Sequence, residues 1–273
     1  MNWVWKTIRG ILIALGLLAL ICILVVSCTV SHVDDFLDNH GNGSFLLEEN
    51  KTYDFSEEIH ALHLEVAAAE ITICQGDGFS VATNGKYIRC ENLNGTLTIR
   101  ETEEFSISGR DVVTVAITIP AGTVFKRAEL DTGAGDVYVE ELRCGRLELD
   151  MGAGDWTINT LEVTDSAELN GGVGDFDINS GTVRNLDLDM GIGEVTLRCR
   201  LQGESDIDMG TGSCTLELVG TREDYRITAD TGIGEATLED EPIRDGVTYG
   251  TGESRIRIDG GIGEIVVKFV DPV

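Results

Sequence analysis

The stretch LELDMGAGDWTI, Leu147 to Ile158, decides how the rest of the chain is read. Leu147 and Leu149 alternate with acids before the glycines, and Trp156 and Ile158 alternate with polar neighbours after them. That period of two is the pattern of a β-strand with one buried face. Gly152-Ala153-Gly154 between the two runs is the composition of a tight corner.

Working outward, the same unit returns as AELDTGAGDVYV (128–139), AELNGGVGDFDI (167–178), LDLDMGIGEVTL (186–197), SDIDMGTGSCTL (205–216), RITADTGIGEATL (226–238) and IRIDGGIGEIVV (256–267). A weaker eighth copy is VTYGTGESRI (247–256). The first glycine of each pair falls at 133, 152, 172, 191, 210, 232, 250 and 261, in steps of 19, 20, 19, 19, 22, 18 and 11. Steps of 19 to 20 predict stacked coils, and the closing step of 11 predicts a compressed final turn or cap. A single strand-corner-strand unit is too small to bury its apolar face alone, so a continuous core requires stacking. The expectation is an all-β chain, a parallel β-helix-like solenoid, preceded by one N-terminal transmembrane helix. Eight units at strand spacing would extend ~35 to 40 Å. LHLEVAAAEITI (62–73) fits the template with Ala67-Ala68-Ala69 in place of Gly-x-Gly and is read as a degenerate first unit. LTIR and VVTVAITIP, ending in the turn Pro120-Ala121-Gly122, read as further strands.

Composition agrees with a folded domain. Glycine supplies 33 of 273 residues and proline only 3, so the glycines serve turns, and a hydrophobic content of 42% can fill a core. With 48 acidic against 20 basic residues the formal charge is −28, which repels nucleic acid and anionic lipid headgroups. Cations, basic proteins and uncharged glycans remain as partners. The cysteines (22, 28, 74, 90, 144, 199 and 214) lack CxxC pairs and most read as buried small hydrophobes; Cys199 and Cys214 could pair, which spacing alone does not establish.

The N-terminus divides from the repeats. Ile11 to Val26 reads ILIALGLLALICILVV, and with Ile8 and Gly10 it reaches the length that spans a bilayer. Lys6 and Arg9 precede it and Asp34, Asp35 and Asp38 follow it, which predicts a cytoplasmic N-terminus and an extracytoplasmic bulk. A cleaved signal and a lipoprotein site at Val25-Val26-Ser27-Cys28 are the alternatives; the length and the lack of an A-x-A site favour an uncleaved span. The predicted order is a cytoplasmic segment (1–9), an anchor or lipoprotein signal (10–30), an acidic linker (31–58) and the β-solenoid (59–273).

At VTVAITIPAGTVFKRAELDTGAGDVYVEEL, followed by the Gly-x-Gly repeats, the chain resembles a bacterial adhesin-like domain family of unknown function found in membrane-anchored proteins. The resemblance covers about residues 59–270. It implies a parallel β-helix-like fold and brings no established activity.

Two acidic columns flank the corner. One holds Asp131, Asp150, Asp189, Asp208, Asp230 and Asp259, with Asn170 and Thr248 as exceptions; the other holds Asp136, Asp155, Asp175, Glu194, Glu235, Glu253 and Glu264, with Ser213 as an exception. Stacked in register, equivalent carboxylates would stand ~4.8 Å apart and repel. The simpler reading is solvated acids that bond their own turns. The sharper reading is a ladder bridged by Ca²⁺ through oxygen ligands, the one cofactor these acids suggest. Gly-x-Gly without a third glycine opening a helix is no dinucleotide fingerprint. His32, His40, His60 and His63 are the only histidines and lack zinc spacing, and no G-x-S-x-G elbow is present.

The expected function is therefore a non-enzymatic surface module, adhesin-like or scaffolding, for an envelope glycan or protein and not for nucleic acid. An envelope-sensing subunit acting through membrane partners is the second reading. The third is a carbohydrate-active enzyme, disfavoured because a uniform ladder does not separate acid from base.

Overall fold

The computed structural model describes residues 47–102 and 112–271. These are all-β except for one 3₁₀ turn at Arg222–Asp224. The anchor expected at 10–30 lies outside the described residues, as does the part of the linker before residue 47. Among the described residues no helix is long and apolar enough to cross a membrane.

The repeats lie on one another in parallel, residue for residue. Leu147, Leu149 and Met151 stand opposite Ala167, Leu169 and Gly171, and Leu186, Leu188 and Met190 continue the same lines. Past the corner Val137, Trp156, Phe176 and Val195 form a second ladder, and Leu142, Leu161 and Gly181 a third on the return segment. Each coil thus has a strand before the corner, one after it and one on the way back. The inward residues of all three are buried, with Leu147, Trp156, Ile158 and Leu161 at 0% exposure, and make one continuous core. The period of two in the sequence is this inward and outward alternation.

The corner dictates glycine. A Cβ on Gly193 would lie 1.8 Å from the carbonyl oxygen of Gly174 on the neighbouring rung, and one on Gly212 would lie 1.8 Å from that of Gly193. Gly193 also has φ +147°, where side-chain-bearing residues are rare. The backbones approach so closely because the Gly174 N–H donates to the carbonyl of Ile192 at 3.0 Å, and Gly154 and Gly135 repeat the bond one and two rungs away. The all-alanine corner of the first unit keeps the same bond without the glycine conformation: the Ala69 N–H donates to the Ala134 carbonyl at 3.0 Å, and Ala69 avoids positive φ.

Two expectations about order are corrected. Rungs 128–139 to 205–216 stack in chain order, but Ser254–Val270 is hydrogen-bonded on both sides, to Glu204–Val219 and to Tyr225–Leu238. The last-numbered repeat is therefore inserted inside the stack, and 226–238 is its outermost rung. The copy at 247–256 is no rung: Thr248–Tyr249 pairs antiparallel with Tyr225–Leu238, as does Glu241–Pro242. The steps of 22, 18 and 11 therefore do not measure coils. Periodicity cannot reveal this, because every rung offers the same ladder on both edges.

The other end is built alike. Ala61–Ala68 and Glu70–Gly76 form the degenerate first rung, yet Thr96–Glu101 and Thr114–Pro120 pair in parallel on its outer side. Antiparallel strands Ile88–Leu93 and Phe79–Gly85 then cover these. Leu47–Phe55 pairs antiparallel with Phe79–Gly85, so the last part of the expected linker belongs to the sheet. Its alternation is masked by charge, since Tyr53 and Phe55 are only half-buried beside exposed Thr52 and Asp54. Antiparallel returns thus cover part of the outer edge at each end, which reduces the edge open to another chain.

Cys199 and Cys214 are buried and unpaired, which corrects the bridge their spacing allowed. Burial pushes both thiols up to about 12, and Cys144 likewise, so they act as apolar filler.

Gly193→Ala should cost about 3 kcal/mol, from forced backbone displacement added to the unfavourable φ. Gly122→Ala, at φ +79° with open space around its Cβ position, should cost only about 1 kcal/mol. Thermal melts followed by circular dichroism should separate the two by about 5 °C or more.

Candidate functional site

The corner sequence Asp-Met-Gly-x-Gly-Asp/Glu presents three columns of side chains, one rung apart along the stack. The first is the acidic column before the glycines, and pairing places Asp131, Asp150, Asn170, Asp189, Asp208, Asp259 and Asp230 in a single line. The six aspartates and Asn170 fall in the column as expected; Thr248 does not, because it pairs antiparallel with Thr228, and the order of the last two is reversed by the inserted rung. Burial raises the Asp208 carboxyl above its ordinary value, and repulsion from Asp259 and Asp189 adds to it against the opposing pull of Arg257. Asp131 is raised by burial too, then by Asp150 and Glu65. Asn170 relieves the middle of the line by donating from Nδ2 to Asp150 at 2.8 Å.

Two residues earlier on the same outward face runs a parallel line of Glu129, Glu148, Glu168, Asp187 and Asp206. Ion pairs on this outward face lie toward its ends: Arg127 with Glu129 and with Glu148, and Arg257 with Asp259 of the first column at 2.8 Å; His63 Nδ1 lies in hydrogen-bond contact with Glu129 at 2.9 Å. The central rungs of this face are thus strongly acidic.

The second predicted column is partly a backbone device. Oδ1 of Asp136 accepts the N–H of Asp155 at 3.1 Å, Asp155 accepts that of Asp175 at 3.0 Å, and Asp175 accepts that of Glu194 at 3.0 Å. In these rungs the strand is interrupted at the corner, and the short aspartate side chain replaces the missing carbonyl. From Glu194 onward the acids are glutamates or Ser213, and the ladder runs through the corner unbroken, with Glu194 opposite Ser213 and Glu235 opposite Glu264. Glu253, placed in this column by the weaker copy, lies in the loop before Ser254 and outside it.

Sequence reading missed the third column, the residue between the glycines. Ala68, Ala134, Ala153, Val173, Ile192, Thr211, Ile262 and Ile233 stand in register, small at one end and large at the other. Val173, Ile192, Ile262 and Ile233 are 51%, 54%, 47% and 70% exposed. The signal was present in the sequence, since an apolar residue between two corner glycines has no core to enter. Immediately before it in the chain, the first glycines leave a trough of about 870 Å³ whose wall is the first acidic column and whose lining includes Met151, Met190 and Met209.

This arrangement offers charge and apolar contact repeated at strand spacing. Among the described residues no three His, Cys, Asp or Glu side chains are grouped to hold a metal ion. The carboxylates of Asp136, Asp155 and Asp175 already accept backbone donors.

The fold and corner define a class: a parallel-coil repeat domain built on stacked Gly-x-Gly turns. The model of the Toastrack family, a domain of unknown function (DUF4097), matches residues 59–259, and the chain belongs to that family. No curated protein matches it significantly. Similar solved structures include a candidate adhesin from Bacteroides fragilis (16% identity, TM-score 0.44, 81% of this chain and 97% of that one). Others are a candidate cell adhesion protein from Clostridium sporogenes (14%, 0.35, 81% and 99%) and a candidate adhesin from Parabacteroides distasonis (15%, 0.36, 81% and 96%). At such TM-scores they add nothing to the family assignment.

The raised Asp208 carboxyl, set by burial and then by repulsion along the first column, gives a signed prediction. A raised carboxyl favours the folded state only when protonated, so its contribution is present below the unfolded value of 3.8 and is lost as pH rises through the folded value. Asp208→Asn should therefore raise Tm at pH 7 by up to about 2 °C and lose that advantage near pH 3.5 or in high salt. Asp155→Ala should cost about 1 kcal/mol by orphaning the Asp175 N–H, while Asp155→Asn, which keeps an acceptor oxygen, should cost less. Melting with millimolar Ca²⁺ should match melting at equal ionic strength; a distinctly larger shift would make the columns a metal site.

Proposed function

We propose that this chain is a membrane-anchored, extracytoplasmic binding module, adhesin-like or scaffolding, without catalytic activity. One observation carries the reading: the corner repeats the same acidic and apolar surface in register over many rungs. Extended concave or ridged surfaces of stacked repeats suit binding to long partners. Catalysis by paired carboxylates needs two acids in different environments, whereas here each acid has a copy of itself on the next rung.

The membrane part of the proposal rests on sequence. The apolar run from Ile11 to Val26, with Lys6 and Arg9 before it and Asp34, Asp35 and Asp38 after it, supports a single span with the repeats outside. A partner in the envelope, protein or glycan, follows from that location, while the charge of −28 disfavours nucleic acid and anionic lipid.

Expression of the full chain with a C-terminal epitope tests location and binding together. The expected outcome is recovery in the alkali-resistant membrane fraction, loss of the epitope when intact cells are treated with protease, and retention of envelope material on the tagged chain. An epitope protected in intact cells, or a chain that washes off the membrane, would defeat the location; a clean chain that retains nothing from the envelope would defeat the binding role.

A further inference from the structure

We propose that the corner ridge docks a basic amphipathic helix, with its apolar stripe on Val173, Ile192, Ile262 and Ile233 and its cationic flanks on the acids either side. The inference rests on the binding-module reading and names the partner's chemistry. Four large apolar side chains, each about half exposed or more, stand in one line across five rungs, with only Thr211 between them. Isolated exposed apolar residues are ordinary on a protein surface, but an aligned column of them marks a contact surface.

Charge selects the occupant. On one side of the ridge stand Asp189, Asp208 and Asp259 along the trough, and on the other Glu194, Glu264 and Glu235. A second copy of the chain docked ridge to ridge would set these lines against their own likeness. An anionic lipid surface would be repelled for the same reason. A partner with an apolar centre and basic margins satisfies both features, and charge complementarity of this kind steers encounter and makes it sensitive to salt.

Spacing selects its conformation. Ridge side chains are one rung apart, ~4.8 Å. Same-face residues of an extended peptide recur at about 6.8 Å, whereas the apolar stripe of an α-helix advances about 5.4 Å per turn. The helix is the closer match, and five rungs correspond to about 13 residues of it. The ridge is held in place beforehand, because the glycines on either side of each ridge residue are packed against the backbone of the next rung. Preorganisation lowers the entropy lost on docking.

The test uses the full chain in nanodiscs of zwitterionic lipid and a 14-residue helical peptide with a leucine stripe flanked by lysine and arginine. Its controls are a scrambled peptide of the same composition and empty nanodiscs. Fluorescence anisotropy should show binding above the empty-disc level, weakened tenfold or more by the double variant Ile192→Ser, Ile262→Ser, and weakened by Glu194→Gln with Glu264→Gln in low salt only. Both sites are exposed, and unchanged melting of the variants confirms that their folding is intact. Equal binding of the scrambled peptide, or no effect of the isoleucine variant, would overturn the assignment. Concentration-dependent dimerisation abolished by the isoleucine variant would also overturn it, by giving the ridge to a second copy. If the isoleucine variant still retains envelope material in the previous assay, the ridge is wrong and the binding-module reading stands.

Discussion

The whole domain depends on how closely two backbones can pass at a corner. Stacked strands ordinarily keep their distance through hydrogen bonds alone, and side chains fan out above and below the sheet. At the Gly-x-Gly corners the chain changes direction while staying bonded to the rung beside it, and a single carbon on Gly193 or Gly212 would occupy the place of the neighbouring carbonyl oxygen. The coil circumference, the register of the three ladders and the alignment of the surface columns all follow from meeting that condition at every level.

The columns have different physical meanings although they look alike in the sequence. Asp136, Asp155 and Asp175 serve the backbone, standing in for a ladder bond that the corner breaks. Asp131 and Asp208 serve no such role, and their carboxyls are raised first by burial and then by the like charges of their column neighbours. Burial and like charge at Asp131 and Asp208 oppose folding, so stability alone does not account for acids at these places. The apolar residues between the glycines make the same point from the other side, since burial gains nothing from Ile233 at 70% exposure.

Much of this was legible in the residues. The alternation around Leu147 and Trp156 gave the strands, the glycine spacing gave the coil length, and the acidic lines were placed correctly within each rung. Stacking order was not legible, because a rung at 226–238 and a rung at 256–267 present interchangeable edges, and only the returning strands at 241–242 and 248–249 show which one is outermost. Leu47–Phe55 was hidden because an edge strand facing solvent on one side needs few apolar residues to be a strand. The ridge is hard to read for a different reason: the residue between the glycines varies through alanine, valine, isoleucine and threonine, so no constant residue type marks it.

The interior placement of residues 254–270 constrains how such a domain can be made and how it can change. These residues leave the ribosome after the rung they must slip beneath, so assembly cannot simply proceed from one end to the other as the chain emerges. Long-range closure of that kind slows folding. Shortening the chain from its C-terminal side would remove a floor from within the building and not its roof. Gain or loss of whole coils is accommodated without disturbing either closure only between residues 128 and 216, where neighbours in sequence are also neighbours in space.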